Sequence, residues 1–211
     1  MSVLFDFDGV IADTSDLIVR YAREASLRVG SPCHPKREDL QALKRMEFSD
    51  LGRHLKIPEE EIGSFVEQIL VYFREDPKPV PVFEGMPQVL TALSALTPVG
   101  IVTGNSHLTV ERVLQQQGLT GAVRVVIGLE AGLTKDRKIL LAAEKLGDSP
   151  QGVYLVGDSA SDIVAARKAG ARSVAVAWGS QSADKLRGEN PDHLVHSPRE
   201  LLALLSERCR C

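Results

Sequence analysis

Short apolar runs rich in β-branched residues recur along the chain, at Val3–Phe5, Val99–Val102, Val123–Ile127, Val153–Val156 and Ser173–Ala177, with a weaker one at His193–His196. From Val99 onward they alternate with amphipathic stretches of helical length, among them His107–Gln117, Lys135–Leu146 and Ala160–Ala169. A glycine follows each stretch (Gly118, Gly147, Gly170), at the place where a helix end takes a left-handed residue. Parallel strands need crossover connections of about helical length, whereas antiparallel strands close through short turns. The alternation therefore predicts an α/β fold, a parallel sheet covered by helices on both faces.

The first strand is followed by something different. From Asp13 to about Asp76 there is no β run, and Leu17–Val29, Arg37–Lys44, Phe48–Leu55 and Glu59–Phe73 carry helical spacing of apolar residues. This predicts an all-helical insert. It ends in Asp76-Pro-Lys-Pro-Val-Pro, which cannot propagate a helix and should run extended and stiff as a hinge. The expected division is an α/β core from residues 1–12 and 82–211, interrupted by a helical domain at 13–81 that includes the hinge at 76–81.

The 211 residues suffice for such a division. A net charge of −3 with no Lys/Arg block lacks the electrostatic footprint of nucleic-acid binding. No stretch approaches the roughly 20 apolar residues of a membrane span. Val3–Phe5 meets Asp6 at once, leaving no room for a signal peptide, and three cysteines (Cys33, Cys209, Cys211) make no disulfide framework. A soluble cytoplasmic protein is expected, with no nucleic-acid or membrane partner, as a monomer or homodimer.

The chemistry gathers at strand ends. Strand one runs into Phe5-Asp6-Phe7-Asp8-Gly9-Val10, and on an extended chain Asp6 and Asp8 project to the same side. Two like charges this close call for a cation or a shared proton. A second strand ends in Thr103-Gly104-Asn105, and a fourth in Gly157-Asp158-Ser159-Ala160-Ser161-Asp162. Lys135 opens the helix between them, with Lys138 one turn on. In an open parallel sheet these ends share the edge where ligands bind.

This ordered set resembles the haloacid dehalogenase superfamily, in particular its phosphatases with a helical cap inserted after the first strand. Asp6-Phe7-Asp8-Gly9-Val10 followed by Asp13-Thr14 is similar to the family's first motif, Val102-Thr103-Gly104-Asn105 to its second, and Val156–Asp162 to its fourth. Lys135 is taken for the third, with Lys138 as the alternative because the usual Lys-Pro is absent. The resemblance implies a Rossmann-like core and a magnesium-dependent phosphatase acting on a small phosphorylated metabolite, similar to the phosphoglycolate phosphatase group. It makes Asp6 the nucleophile that forms an aspartyl-phosphate and Asp8 the acid and base. Lys135 and Thr103 contact the transferring oxygens, and backbone N–H groups near Gly104 and Asn105 orient them. The implied Mg2+ is held by Asp6, the Asp8 backbone carbonyl and Asp158, with Asp162 steadying that group.

Among insert residues, Arg45, Arg53 and His54 are candidates for reading the leaving group. A phosphomutase of the same superfamily and, more distantly, a receiver-like phosphoacceptor are the alternatives. The receiver's acceptor Asp would end strand three, which here ends in Gly128-Leu129-Glu130.

Overall fold

The computed structural model describes residues 1–43, 47–76 and 78–209. Six parallel strands form one sheet: β1 (Ser2–Phe5), β2 (Val99–Val102), β3 (Val125–Ile127), β4 (Val153–Gly157), β5 (Arg172–Val176) and β6 (His193–Val195), in the order β3-β2-β1-β4-β5-β6. The expected α/β architecture is present. β1 lies at the centre, with Val3 opposite both Val99 and Tyr154. β2 and β3 follow outward on one side and β4 to β6 on the other, so the connections diverge beyond the carboxyl ends of β1 and β4. Such a divergence opens a crevice at that edge.

Helices cover both faces. One core unites Val3, Phe5, Tyr154 and Val156 with α5 (Met86–Ser94), α6 (His107–Gln116) and α10 (Pro198–Arg208). The other sets Leu4, Val153 and Leu155 against α7 (Lys135–Leu146) and α8 (Ala160–Ala169). Gly118, Gly147 and Gly170 all have φ near +70°, as expected for left-handed helix ends. The third strand starts at Val125, because Thr120–Ala122 forms a 3-10 turn just before it. Helices α5, α9 (Ala183–Gly188) and α10 were not singled out by apolar spacing. All three are capped locally, α5 and α10 by proline in the first turn and α9 and α10 by serine hydroxyls, Ser182 and Ser197, that accept a backbone N–H.

Between β1 and α5 the chain forms α1 (Ser15–Arg28), α2 (Arg37–Ala42), α3 (Phe48–His54) and α4 (Ile62–Glu75). Their apolar faces meet in a separate core around Tyr21, Leu40, Leu51, Phe65, Ile69 and Phe73. Tyr21 packs edge-on against Phe73 at 4.9 Å between ring centroids. The expected helix at 59–73 divides into a 3-10 turn at Glu59–Glu61 and α4. The expected helix at 37–44 ends at Ala42, because Leu43 is extended (ψ 143°). Entry and exit of the insert run side by side: Ala12 bridges Val82 in antiparallel fashion, Asp13 N–H donates to the Pro81 carbonyl at 2.9 Å, and Phe83 N–H to that of Ile11 at 3.0 Å. Within the Pro-rich segment, Pro77 lies outside the described residues.

Candidate active site

Strand β1 delivers Asp6 to the crevice, and the loop behind it is tightly wound. The Phe7 carbonyl accepts the Ile11 and Ala12 N–H groups at 3.0 and 2.9 Å. Gly9 has φ +77°, and a Cβ there would stand 2.0 Å from Asp158 Oδ2. Both the backbone turn and the space for Asp158 thus require glycine. Asp158 follows directly on β4, and α8 begins with a capping box in which the Ser159 hydroxyl and Asp162 carboxylate satisfy each other's backbone N–H groups. That box turns Asp162 inward.

Oxygens of Asp6, Asp158 and Asp162 lie within 4.8 Å of one another, and all three residues are buried. The Lys135 ammonium is ion-paired with both Asp6 Oδ2 and Asp162 Oδ1. Asp6 Oδ1 accepts the Phe7 N–H at 2.7 Å. Asp158 Oδ2 is held by the Ser180 N–H at 2.7 Å and hydroxyl at 2.6 Å, whereas its Oδ1 is buried with no hydrogen-bond partner among the described residues. One ammonium does not neutralise three carboxylates, and hard oxygen donors with an orphaned carboxylate oxygen are the donor set a divalent cation such as Mg2+ takes. The residues fit that ion.

The titration behaviour follows from the same crowding. Burial pushes the Asp6 carboxyl upward, and the charges of Asp162 and Asp158 add to this against the pull of Lys135. Asp158 is raised to about 6, by burial and then by Asp162. Burial opposes the charge on Lys135, but Asp162 and Asp6 outweigh it and hold its pKa above the ordinary lysine value.

Asp8 stands apart from the acidic cluster. Its carboxylate accepts the Thr14 hydroxyl at 2.8 Å and the Asn105 amide at 3.2 and 3.3 Å. Burial raises its pKa against those bonds, which favours a proton-bearing carboxyl. At the end of β2, the Thr103 hydroxyl accepts the Asn105 N–H at 3.0 Å. The Asn105 N–H is therefore engaged, and this residue holds Asp8 instead of presenting its backbone to a ligand. Gly104 lines both cavities at the site.

The two lysines separate by position. Lys135 reaches Asp6, whereas the buried Lys138 donates to the Thr103 carbonyl at 2.7 Å. Of the insert candidates, Arg53 and His54 are not brought in. Arg53 lies on the insert's exterior, ion-paired with Glu59 at 2.8 Å and Asp50 at 3.3 Å, because neighbouring carboxylates in its own region claim the guanidinium. His54 pairs with Asp39 at 3.0 Å. Arg45 lies outside the described residues. The insert instead presents mostly apolar groups: Leu40, Leu43, Phe48 and Leu51, with Ile18 and the carboxylate residue Glu47, line a small cavity over Asp6 and Asp8. A larger cavity of about 930 Å³ adjoins it along Thr103, Gly104 and Lys135, within the range of small-molecule sites.

Sequence reasoning missed Gly179-Ser180-Gln181. A Cβ on Gly179 would stand 2.3 Å from Asp158 Cβ and 2.4 Å from the Gly9 carbonyl oxygen. Ser180 grips Asp158, and Gln181 accepts the Ala160 N–H at 2.8 Å. The available signal was position: this Gly-Ser pair follows β5 at the same sheet edge.

A family model described as haloacid dehalogenase-like hydrolase matches residues 3–176. The phosphoglycolate phosphatase of Synechococcus elongatus is 27% identical over 210 residues, covering 99% of each chain. A pyrophosphatase of Bacillus cereus is 29% identical over 218 residues, covering 99% of this chain and 98% of the relative. A solved haloacid dehalogenase-like family protein from Streptococcus pneumoniae shares the fold with a TM-score of 0.81 at 20% identity, over 97% of both chains. Among the described residues no helix is long and apolar enough to cross a membrane.

Proposed function

Because the chain belongs to the haloacid dehalogenase-like hydrolase family, we propose that it is a magnesium-dependent phosphatase that hydrolyses a small phosphorylated metabolite through an aspartyl-phosphate on Asp6. The observation that carries this reading is the convergence of Asp6, Lys135, Asp158 and Asp162 beside a separately held Asp8. Two curated relatives of nearly equal length are named for phosphoglycolate and pyrophosphate, which supports a small phosphorylated substrate. Residues 13–81 serve in this reading as a cap over the site.

Asp6 attacks phosphorus, and the bond from phosphorus to the ester oxygen breaks. Asp8, its carboxyl raised by burial, gives its proton to the departing alkoxide. Its carboxylate then takes a proton from the water that attacks the same phosphorus, and the bond to Asp6 breaks to release phosphate. Thr14 and Asn105 hold Asp8 in place for both transfers. Lys135 sets a fixed ammonium beside Asp6 where negative charge builds on the phosphoryl oxygens. The Thr103 hydroxyl, which accepts the Asn105 N–H, keeps its own proton for one of those oxygens. Mg2+ held by Asp6, Asp158 and the Asp8 backbone carbonyl, with Asp162 steadying the group, supplies the remaining positive charge that two anionic reactants need.

Hydrolysis of p-nitrophenyl phosphate with Mg2+ tests the reading, with free phosphate measured alongside. Asp6→Asn should abolish turnover, and chelation should do so reversibly. Substantial activity in Asp6→Asn would show that Asp6 is not the nucleophile.

A further inference from the structure

Two separated sets of side-chain hydrogen bonds tie helices of the cap to the core. Near the hinge, Arg112 of α6 donates to the carbonyls of Arg74 and Asp76 at 2.9 and 3.2 Å, capping the end of α4. At the far side, the end of α2 meets the loop after β5. There the buried Gln181 donates its amide N–H to the Leu43 carbonyl at 2.9 Å. Lys185 of α9 donates its ammonium to the carbonyls of Gln41 and Leu43 at 2.6 and 3.0 Å. The Gln41 carbonyl belongs to the last turn of α2, where no intrahelical partner exists and a cation is favoured, and Leu43 is the extended residue that ends this helix. Gln181 uses its other end as well, since its Oε1 accepts the N–H of Ala160, the first residue of α8.

We propose that Gln181 and Lys185 form a latch that holds the cap shut over the site, with Gln181 as a positioning residue that ties cap closure to the first turn of α8, which carries Asp162 and directly follows Asp158. Both residues lie beyond the span of the family model. The latched end includes Leu43, which with Leu40 forms part of the apolar wall over Asp6 and Asp8. Releasing the latch withdraws that wall from the leaving group and admits water. Opening breaks the Gln181 and Lys185 bonds together, because both donors share the Leu43 carbonyl, while the Gln181 bond to Ala160 stays within the core. The Arg112 contacts at the hinge are the fixed end of this movement.

The kinetic consequence rests on the phosphatase reading, whereas the latch itself can be read without turnover. Lys185→Met removes two donors to the cap and keeps the aliphatic stem. Gln181→Glu keeps the acceptor for Ala160 and removes the donor to Leu43. Hydrogen–deuterium exchange of the 37–43 segment should quicken about five- to tenfold in each variant, the change expected for losing one net hydrogen bond, with exchange in α4 unaltered. KM for p-nitrophenyl phosphate with Mg2+ should rise by a similar factor while kcat holds or increases, and the double variant should fall short of the product of the singles because both donors serve Leu43. Unchanged exchange in Lys185→Met, whose half-buried side chain leaves the core intact, would overturn the latch. Faster exchange with KM and kcat both at wild-type values would overturn its positioning role. Failure of Asp6→Asn to abolish turnover would strike the phosphatase reading and leave the exchange result standing.

Discussion

Gly179 is a position where a single methyl group should disable the site without touching a reacting atom. A Cβ there would sit 2.3 Å from Asp158 Cβ, 2.6 Å from Asp158 Oδ2 and 2.4 Å from the Gly9 carbonyl oxygen. All three are far inside van der Waals contact, so the surroundings must yield by about 1 Å. Neither neighbour yields easily: Gly9 O is backbone in the wound loop after β1, and Asp158 is pinned by two bonds from Ser180. Overpacking of this kind costs about 1–3 kcal/mol, which in a chain of this length lowers Tm by about 2–4 °C per kcal/mol. Displacing a supported carboxylate should also weaken metal binding about 10- to 100-fold. Thermal unfolding of Gly179→Ala in chelator and across a Mg2+ titration reads both effects. Gly63→Ala is the control: it lies in α4 with nothing within 4 Å of a new Cβ, and alanine there should stabilise by about 0.5–1 kcal/mol. Wild-type Tm and Mg2+ midpoint in Gly179→Ala would refute the claim that Asp158 fills the space beside this glycine.

Two further outcomes concern charge. Lys135→Ala strips the ammonium shared by Asp6 and Asp162 and should cost about 3 kcal/mol in chelator, partly recovered by Mg2+, with turnover lost. Lys138→Ala removes only the bond to the Thr103 carbonyl and should keep measurable turnover; the reverse ranking would exchange the two roles. For pH, Asp158 is raised to about 6 and Asp6 to about 8 from an ordinary 3.8. A raised acid contributes stability that is full below the unfolded value and lost as pH climbs through the folded value. The Mg2+-dependent gain in Tm should therefore grow from about pH 4 to about pH 8, since the ion replaces protons the cluster otherwise keeps. A gain that is flat or shrinks with pH, measured as the difference between Mg2+ and chelator scans, would contradict this.

The sheet and its carboxylate-rich edge were legible because both rest on local patterns. Continuous apolar runs mark strands buried on both faces, and the carboxylates at 6, 8 and 158 follow within three residues of strand ends, with 162 in the helix turn after β4. What escaped depends on packing between distant segments. Gly179-Ser180-Gln181 has no pattern of its own; its meaning comes from β5 lying next to β4, so that a serine hydroxyl meets Asp158. Arg53 was nominated on residue type and region, but Glu59 and Asp50 take up its guanidinium, a local competition that composition does not reveal. Helix α9 escaped for a different reason, since six residues are too few to show a period.

The central place of β1 has a consequence for how the molecule is made. Asp6 follows directly on β1, yet that strand's partners are β2, on the far side of the whole helical insert, and β4, most of the chain away. Pairings this remote close late, because the loop entropy comes before the contacts that repay it. Val3–Phe5 is therefore made before either partner strand, as an apolar segment that waits for Val153–Gly157. The helical insert, with its own core, can take shape meanwhile, before the sheet edge that brings Asp6 and Asp158 together is complete.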